Sequence, residues 1–318
     1  MSILIAIVSF AAVICFLVFI HELGHYLVAR WNGVHVHTFS VGMGPTINLF
    51  GYRLERIDKN GTLWRMAWLP IGGYVMMAGA EEIDPQTGKM QPSAIDRGID
   101  PQNYYGTKSP WQRMAIAVAG PLANFLFAIV AFAAIFFFNG EVKIAAVIGD
   151  VTPDSPAAVA GLQTGDKVVE LNGQAVEDYQ NMRIIVALNP EQTMPMVVLR
   201  DGEQVELSIT PARLEKDGTG YIGVGISGEY ESIEHGVFSA TWRGVEQTAN
   251  MTVLQTVGIY KIITGQMEAS KSVAGPIGIA QMAGESTQNG GLMGLLGMTI
   301  MFSIVLGYMN LLPIPVLE

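Results

Sequence analysis

His21-Glu22-Leu23-Gly24-His25 places two imidazoles at positions i and i+4, on one face of a helix and close enough to grip one tetrahedral zinc ion. Glu22 stands between them. A carboxylate beside a zinc-bound water can take its proton, while the metal stabilises the charge that develops on an attacked carbonyl; that chemistry is peptide hydrolysis. The plain alternative is that the three residues only mark the interface end of an apolar segment. Ionisable groups flush with such a segment are costly, and by default functional.

The element carrying the triplet is an apolar run. Residues 3 to 20 pass 18 positions without a charge, enough for a spanning helix at about 1.5 Å per residue. With no basic stretch before it and no small-residue cleavage site after it, the run reads as a span rather than a signal peptide. Two further stretches match it, 114–138 and 292–317, the last carrying Pro313 and Pro315. They explain why 50% of the 318 residues are apolar and only 14% charged, against about 25% charged in a soluble domain. Mean hydropathy is +0.36, which excludes disorder, collagen and coiled coil. A net charge of −10 argues against nucleic acid as a partner, and the single Cys15 excludes an internal disulfide framework.

Basic residues near the span ends set orientation. Residues 30–113 hold nine Lys or Arg and seven Asp or Glu, whereas 141–291 hold nine basic and nineteen acidic residues. The loop 31–113 is therefore expected in the cytoplasm and the acidic segment outside, which in a bacterium is the periplasm. The acidic segment opens with strand-like runs at 144–148, 167–171, 196–199 and 205–209. Ser155-Pro156-Ala157-Ala158 followed by Ala160-Gly161-Leu162 reads as a short capped helix with a glycine stop, and Asn172-Gly173 as a tight turn. Over 141–227 this resembles the bacterial type of PDZ domain, which implies an extended peptide as a partner along a sheet edge. Residues 236–265 are too polar to span; they read as an amphipathic helix, either on the membrane surface or packed on the PDZ-like domain.

The His21 to His25 motif at the end of a first span, Gly120-Pro121-Leu122-Ala123-Asn124-Phe125 in a second and Asn310-Leu311-Leu312-Pro313-Ile314-Pro315-Val316-Leu317 in a third together resemble the site-two protease family, in its regulator-of-sigma-E group, over essentially the whole chain. The resemblance implies an intramembrane zinc metalloprotease of the bacterial inner membrane that acts in stress responses, with its active centre near the cytoplasmic side. Its substrate would be a single-span transmembrane protein, such as an anti-sigma factor, already trimmed by another protease. The implied architecture is a polytopic α-helical membrane protein with three spans, a membrane-associated β-hairpin region and one periplasmic PDZ-like α+β domain. His21 and His25 would be zinc ligands and Glu22 the general base.

Two departures qualify the match. The family motif ends in Leu-Asp-Gly, whose aspartate is the third ligand, and a fourth helix follows. Here Leu317 precedes Glu318, and the sequence given stops. The expectation is a sequence boundary with the fourth helix beyond it; a terminal glutamate as ligand is the alternative. The second departure is a single PDZ-like unit, as in shorter members of the group.

Pro313 and Pro315 each remove a backbone donor, so the third span is expected to loosen near its inner end. By similarity Asn310 would contact substrate or a developing oxyanion; a structural interhelical hydrogen bond is the alternative. Asn124 reads as packing and Gly120-Pro121 as a kink with close helix approach. In the first loop, alternation at 34–41, 52–56 and 63–68 reads as hairpins, whose edge could hold a substrate drawn out from its helix; an ordinary loop is the alternative. His35 and His37 share a strand face and read as solvent-facing. A rival function is a membrane-tethered PDZ adaptor with a vestigial metal site. No inverted repeat supports a transporter.

Overall fold

The computed structural model describes residues 3–79, 96, 98–215, 218–227, 230–265 and 275–312. Along the chain run α1 (Ile3–Trp31), β1 (Val36–Thr46), β2 (Asn48–Leu49), β3 (Tyr52–Arg53), β4 (Glu55–Ile57), β5 (Leu63–Met77) and α2 (Pro110–Asn139). Then come β6 (Glu141–Ile144), β7 (Ile148–Val151), α3 (Pro156–Val159), β8 (Lys167–Leu171), β9 (Gln174–Ala175), α4 (Tyr179–Leu188), β10 (Met194–Arg200) and β11 (Glu203–Ile209). Last are β12 (Ala212–Arg213), β13 (Gly220–Tyr221), β14 (Val224–Ile226), β15 (Tyr230–Ile233), α5 (Val237–Ile263) and α6 (Pro276–Leu311). The chain divides into two compact units, 1–131 with 276–318, and 132–275.

Among the described residues three helices are long and apolar enough to cross a membrane: Leu4–Trp31, Pro110–Asn139 and Gly278–Leu311. Their outer side chains, Leu4, Ile7 and Leu126 among them, are exposed, as a lipid solvent requires. A helical segment over 276–290 precedes the apolar stretch at 292, and Gly291 between them leaves helical geometry (φ 56°, ψ −138°), so α6 is two helices joined at a kink. Pro313, Pro315 and Glu318 lie outside the described residues, and with them the expected loosening and the candidate third ligand.

Between α1 and α2 the hairpin expectation meets an unusual sheet. β1 is paired along both edges by β5, with Phe39 opposite both Trp64 and Val75, and Val41 opposite both Met66 and Gly73. β5 must therefore turn back around β1, and Gly72, at φ +73°, sits in that reversal. β4 adds outside the first half of β5, with Ile57 opposite Leu63. Among the described residues no strand pairs with the outer edge of 73–77. Phe39, Val34 and Val36 are fully buried against Tyr26 and Ala29 of α1, each large apolar side chain contributing about 1.5–3 kcal/mol.

The second unit is an α+β domain. Its antiparallel sheet has the order β11-β10-β8-β9, with smaller pairs β14-β7, β12-β13 and β15-β6. The run read as one strand at 144–148 is instead the joint between β6 and β7. Asn172 and Gly173 both take positive φ, 55° and 74°, the backbone of a two-residue hairpin turn. Ser155 caps α3 by accepting from the Ala158 N–H. Leu171, Val198, Met194, Met196 and Ile209 fill the core with Ala157 and Ile222. Asp166, almost wholly buried, accepts from Arg200, which holds its carboxyl below the usual range. Helix α5 is packed within this unit. Lys261 donates to the Leu188 carbonyl and to Asn189 Oδ1 at the C-terminus of α4, and Arg243 pairs with Glu141.

Candidate metal centre

His21 and His25 project from one face of α1 as the i, i+4 spacing requires, and their rings meet edge to face with centroids 4.9 Å apart. The two Nε2 atoms are 3.2 Å apart. A tetrahedral zinc bound at about 2.0–2.1 Å holds two nitrogens roughly 3.3 Å apart, so this pair is spaced as ligands of one ion are. Each Nδ1 points away into a hydrogen bond. His25 Nδ1 lies 2.8 Å from the Ile116 carbonyl, which can only accept, so Nδ1 carries the proton and Nε2 keeps its lone pair for the centre. His21 Nδ1 lies 3.1 Å from Nδ2 of Asn124.

Helix α2 makes this possible by having no side chain at Gly120. A Cβ there would collide with Nε2 of His25 and stand 2.8 Å from Nε2 of His21, in the space between the rings. Gly24 opens the other side of the same crossing, since a Cβ on it would run into the Ala119 carbonyl. Pro121, inside α2, removes the N–H that would bond to the Ala117 carbonyl, one residue after Ile116. From α6, Asn310 brings its Nδ2 to 3.4 Å from His21 Nε2, and Ser303 Oγ donates to the Asn124 carbonyl at 2.9 Å.

Among the described residues no third His, Cys, Asp or Glu joins the pair as a metal-holding group. Glu22 has its own close neighbour in the sheet. Gly73, at the edge of the sheet, comes so near that a Cβ on it would stand 3.2 Å from Glu22 Cγ. The edge strand 73–77 thus meets the Glu22 side chain at Gly73. One residue beyond His25, Tyr26 fixes the helix to the sheet by donating to Asp58 Oδ2 at 3.0 Å. Asp58 also accepts from Trp64 Nε1 and from the backbone N–H groups of Asn60 and Thr62. Burial alone would raise the Asp58 carboxyl, but those donors outweigh it and bring it down to about 2.

Of the residues singled out from sequence, His21, His25, Gly120 and Asn310 come together here, and Glu22 follows His21 on the same helix beside Gly73. Asn124, read as packing, faces a histidine ring. A sequence signal for this exists: it lies four residues after Gly120, on the same face of the helix. Sequence reasoning misses the Ile116 carbonyl and Gly73. His37 is paired with Asp96 at 2.7 Å and only slightly exposed, so it is not the solvent-facing residue expected from alternation.

A profile of peptidase family M50 matches residues 9–318. A protein of Agrobacterium fabrum, provisionally named a zinc metalloprotease, is 34% identical over 322 residues, spanning 98% of this chain and 83% of its own length. Metalloprotease MmpA of Caulobacter vibrioides is 32% identical over 350 residues, spanning 99% and 84%. Among solved structures, the PDZ domain of an SdrC-like protein from Listeria innocua is 24% identical and covers 27% of this chain and 96% of that one, with a TM-score of 0.24.

Proposed function

The chain belongs to peptidase family M50, a multi-pass membrane zinc metalloprotease with a PDZ-like domain, and from that premise we propose that it cuts a pre-trimmed single-span protein, such as an anti-sigma factor, inside the bilayer. The observation that carries this reading is the 3.2 Å approach of the His21 and His25 Nε2 atoms within apolar helices.

His21 and His25 would hold the zinc ion, with a further ligand from beyond the described residues. Zinc, when bound, supplies Lewis acidity toward water and the scissile carbonyl. Glu22 takes the proton of the attacking water and returns it to the leaving amine. Asn310 donates from Nδ2 to the carbonyl oxygen as that oxygen gains charge, and the apolar helices keep bulk water from the reaction. A helical substrate has its peptide groups bonded to one another, so it must be extended before attack. The open edge of 73–77, beside Glu22, offers N–H and C=O groups to such a strand. Exposed Phe50, Trp68 and Leu69 in the same sheet region suit a hairpin that dips into lipid.

The centre is built from the last part of α1, the first part of α2 and the end of α6, which all lie on one side if the three helices span in alternation. The charge balance puts that side at the cytoplasm of a bacterial inner membrane and the PDZ-like domain in the periplasm. There, among the described residues, β14 pairs with β7 along one edge only, and Gly220 packs against the Val186 carbonyl of α4, an arrangement that suits an extended peptide screened before entry. The test is reconstitution in vesicles with a single-span substrate, intact or stripped of its outer domain. The expected result is cleavage within the span of the stripped form only. Equal cleavage of both forms, or cleavage outside the span, contradicts it. A membrane-tethered adaptor would give no cleavage and would purify without zinc.

A further inference from the structure

The two histidines are held from behind by different kinds of group. His25 Nδ1 meets a carbonyl, which leaves one protonation pattern for the ring. His21 Nδ1 meets the carboxamide of Asn124, which can donate from one end or accept at the other with nearly the same shape. Asn124 has no exposed surface, and its Oδ1 finds no hydrogen-bond partner among the described residues. Its backbone carbonyl is held by Ser303, and the two orientations of its amide differ by a half-turn about the last torsion.

The orientation of that amide decides what His21 can do. With Nδ2 toward the ring, Nδ1 accepts, the single ring proton sits on Nε2, and it is shared with His25 Nε2 at 3.2 Å. Metal ligation needs the Nε2 lone pair, so the proton must sit on Nδ1 and must find an acceptor there. Among the described residues, Oδ1 of Asn124 is the group that stands ready to be that acceptor.

We propose that Asn124 is the positioning residue of His21, turning Oδ1 to accept the Nδ1 proton whenever His21 ligates the metal. This rests on the reading of His21 and His25 as ligands. The choice of asparagine has a consequence. A carboxylate would lock the ring in the ligating pattern, whereas the amide also satisfies the alternative in which the two histidines bond to each other. Asn124 would then let the site exchange its metal without stranding a buried charge in the apolar helices.

The experiment uses the full chain in detergent and measures zinc affinity by chelator competition and the visible spectrum of the cobalt-loaded protein. Asn124→Leu is expected to weaken zinc binding by roughly ten- to a hundredfold and to alter the cobalt bands. Asn124→Asp, which keeps an acceptor, is expected to bind zinc at least as tightly as the natural protein. Equal affinity in Asn124→Leu overturns the proposal, and so does equal weakening in both variants. If the variants do not fold, the natural protein alone decides. Nitrogen NMR of the zinc-loaded chain with labelled histidine is expected to show the His21 proton on Nδ1; a bare Nδ1 overturns the proposal. A natural protein that takes up no zinc refutes instead the underlying assignment of the two ligands.

Discussion

Gly120 of the second apolar helix occupies a place where any side chain would meet the Nε2 atoms of both histidines, colliding with His25 and standing 2.8 Å from His21. The helix crossing and the metal centre are therefore one construction. Gly120→Ala is expected to lose stoichiometric zinc and cleavage together, because the methyl group takes the space between the rings. Metal analysis of the purified variant checks this; a variant with about one zinc per chain contradicts it.

Asp58 ties the helix of the metal centre to the sheet, and its carboxyl, brought down to about 2, gives the tie a pH dependence. An unfolded aspartate titrates near 3.9, so the contribution to stability is complete above about pH 4 and is lost as pH falls toward about 2. Asp58→Asn is expected to lower stability at neutral pH by about 1–2 kcal/mol and to flatten the acid limb. Thermal midpoints in detergent between about pH 2 and 7 measure both effects. Parallel acid limbs in the two proteins would contradict the assignment.

Gly73 lets the edge strand lie against Val18 and Glu22 of α1. A valine there must push the strand away from the helix. Cleavage is expected to fall by about a hundredfold, the cost of a misplacement near 1 Å, while zinc content stays unchanged. Loss of zinc in Gly73→Val would show that the strand supports the ligands and not the substrate.

Gly223, at φ +79°, turns the chain into β14 with its Cα beside Ser155, where a Cβ would collide. Gly223→Ala is expected to abolish capture of an extended peptide by the PDZ-like domain and to leave zinc content intact. Fluorescence titration with a labelled peptide checks the first part, and an unchanged affinity counts against β14 as the peptide edge.

The parts legible in the sequence are those that local rules determine. The i, i+4 histidines, the three apolar stretches, the Ser155 cap and the Asn172-Gly173 turn each follow from a few neighbouring residues. What is not legible depends on pairing between distant segments. Nothing local says that β5 turns back to pair both edges of β1, because alternation looks the same for one partner or two. The helical segment from Pro276 to the kink at Gly291 is hidden by polar and glycine residues, which carry no apolar period. Asn124 looks like packing because an amide in a span reads alike whether it faces a lipid-side helix or a histidine. Its four-residue spacing from Gly120 is the one local hint, and the crossing of α1 and α2 at Gly24 and Gly120 decides which.

Glu22→Gln tests the central claim most directly, since it keeps the shape of the side chain and removes only its ability to take a proton. Cleavage of the stripped single-span substrate and zinc content are to be measured on the same preparation. The expected result is a loss of cleavage of at least about a hundredfold with zinc still near one per chain. Cleavage retained at the natural rate would contradict the role of Glu22, and with it the chemistry assigned to this centre.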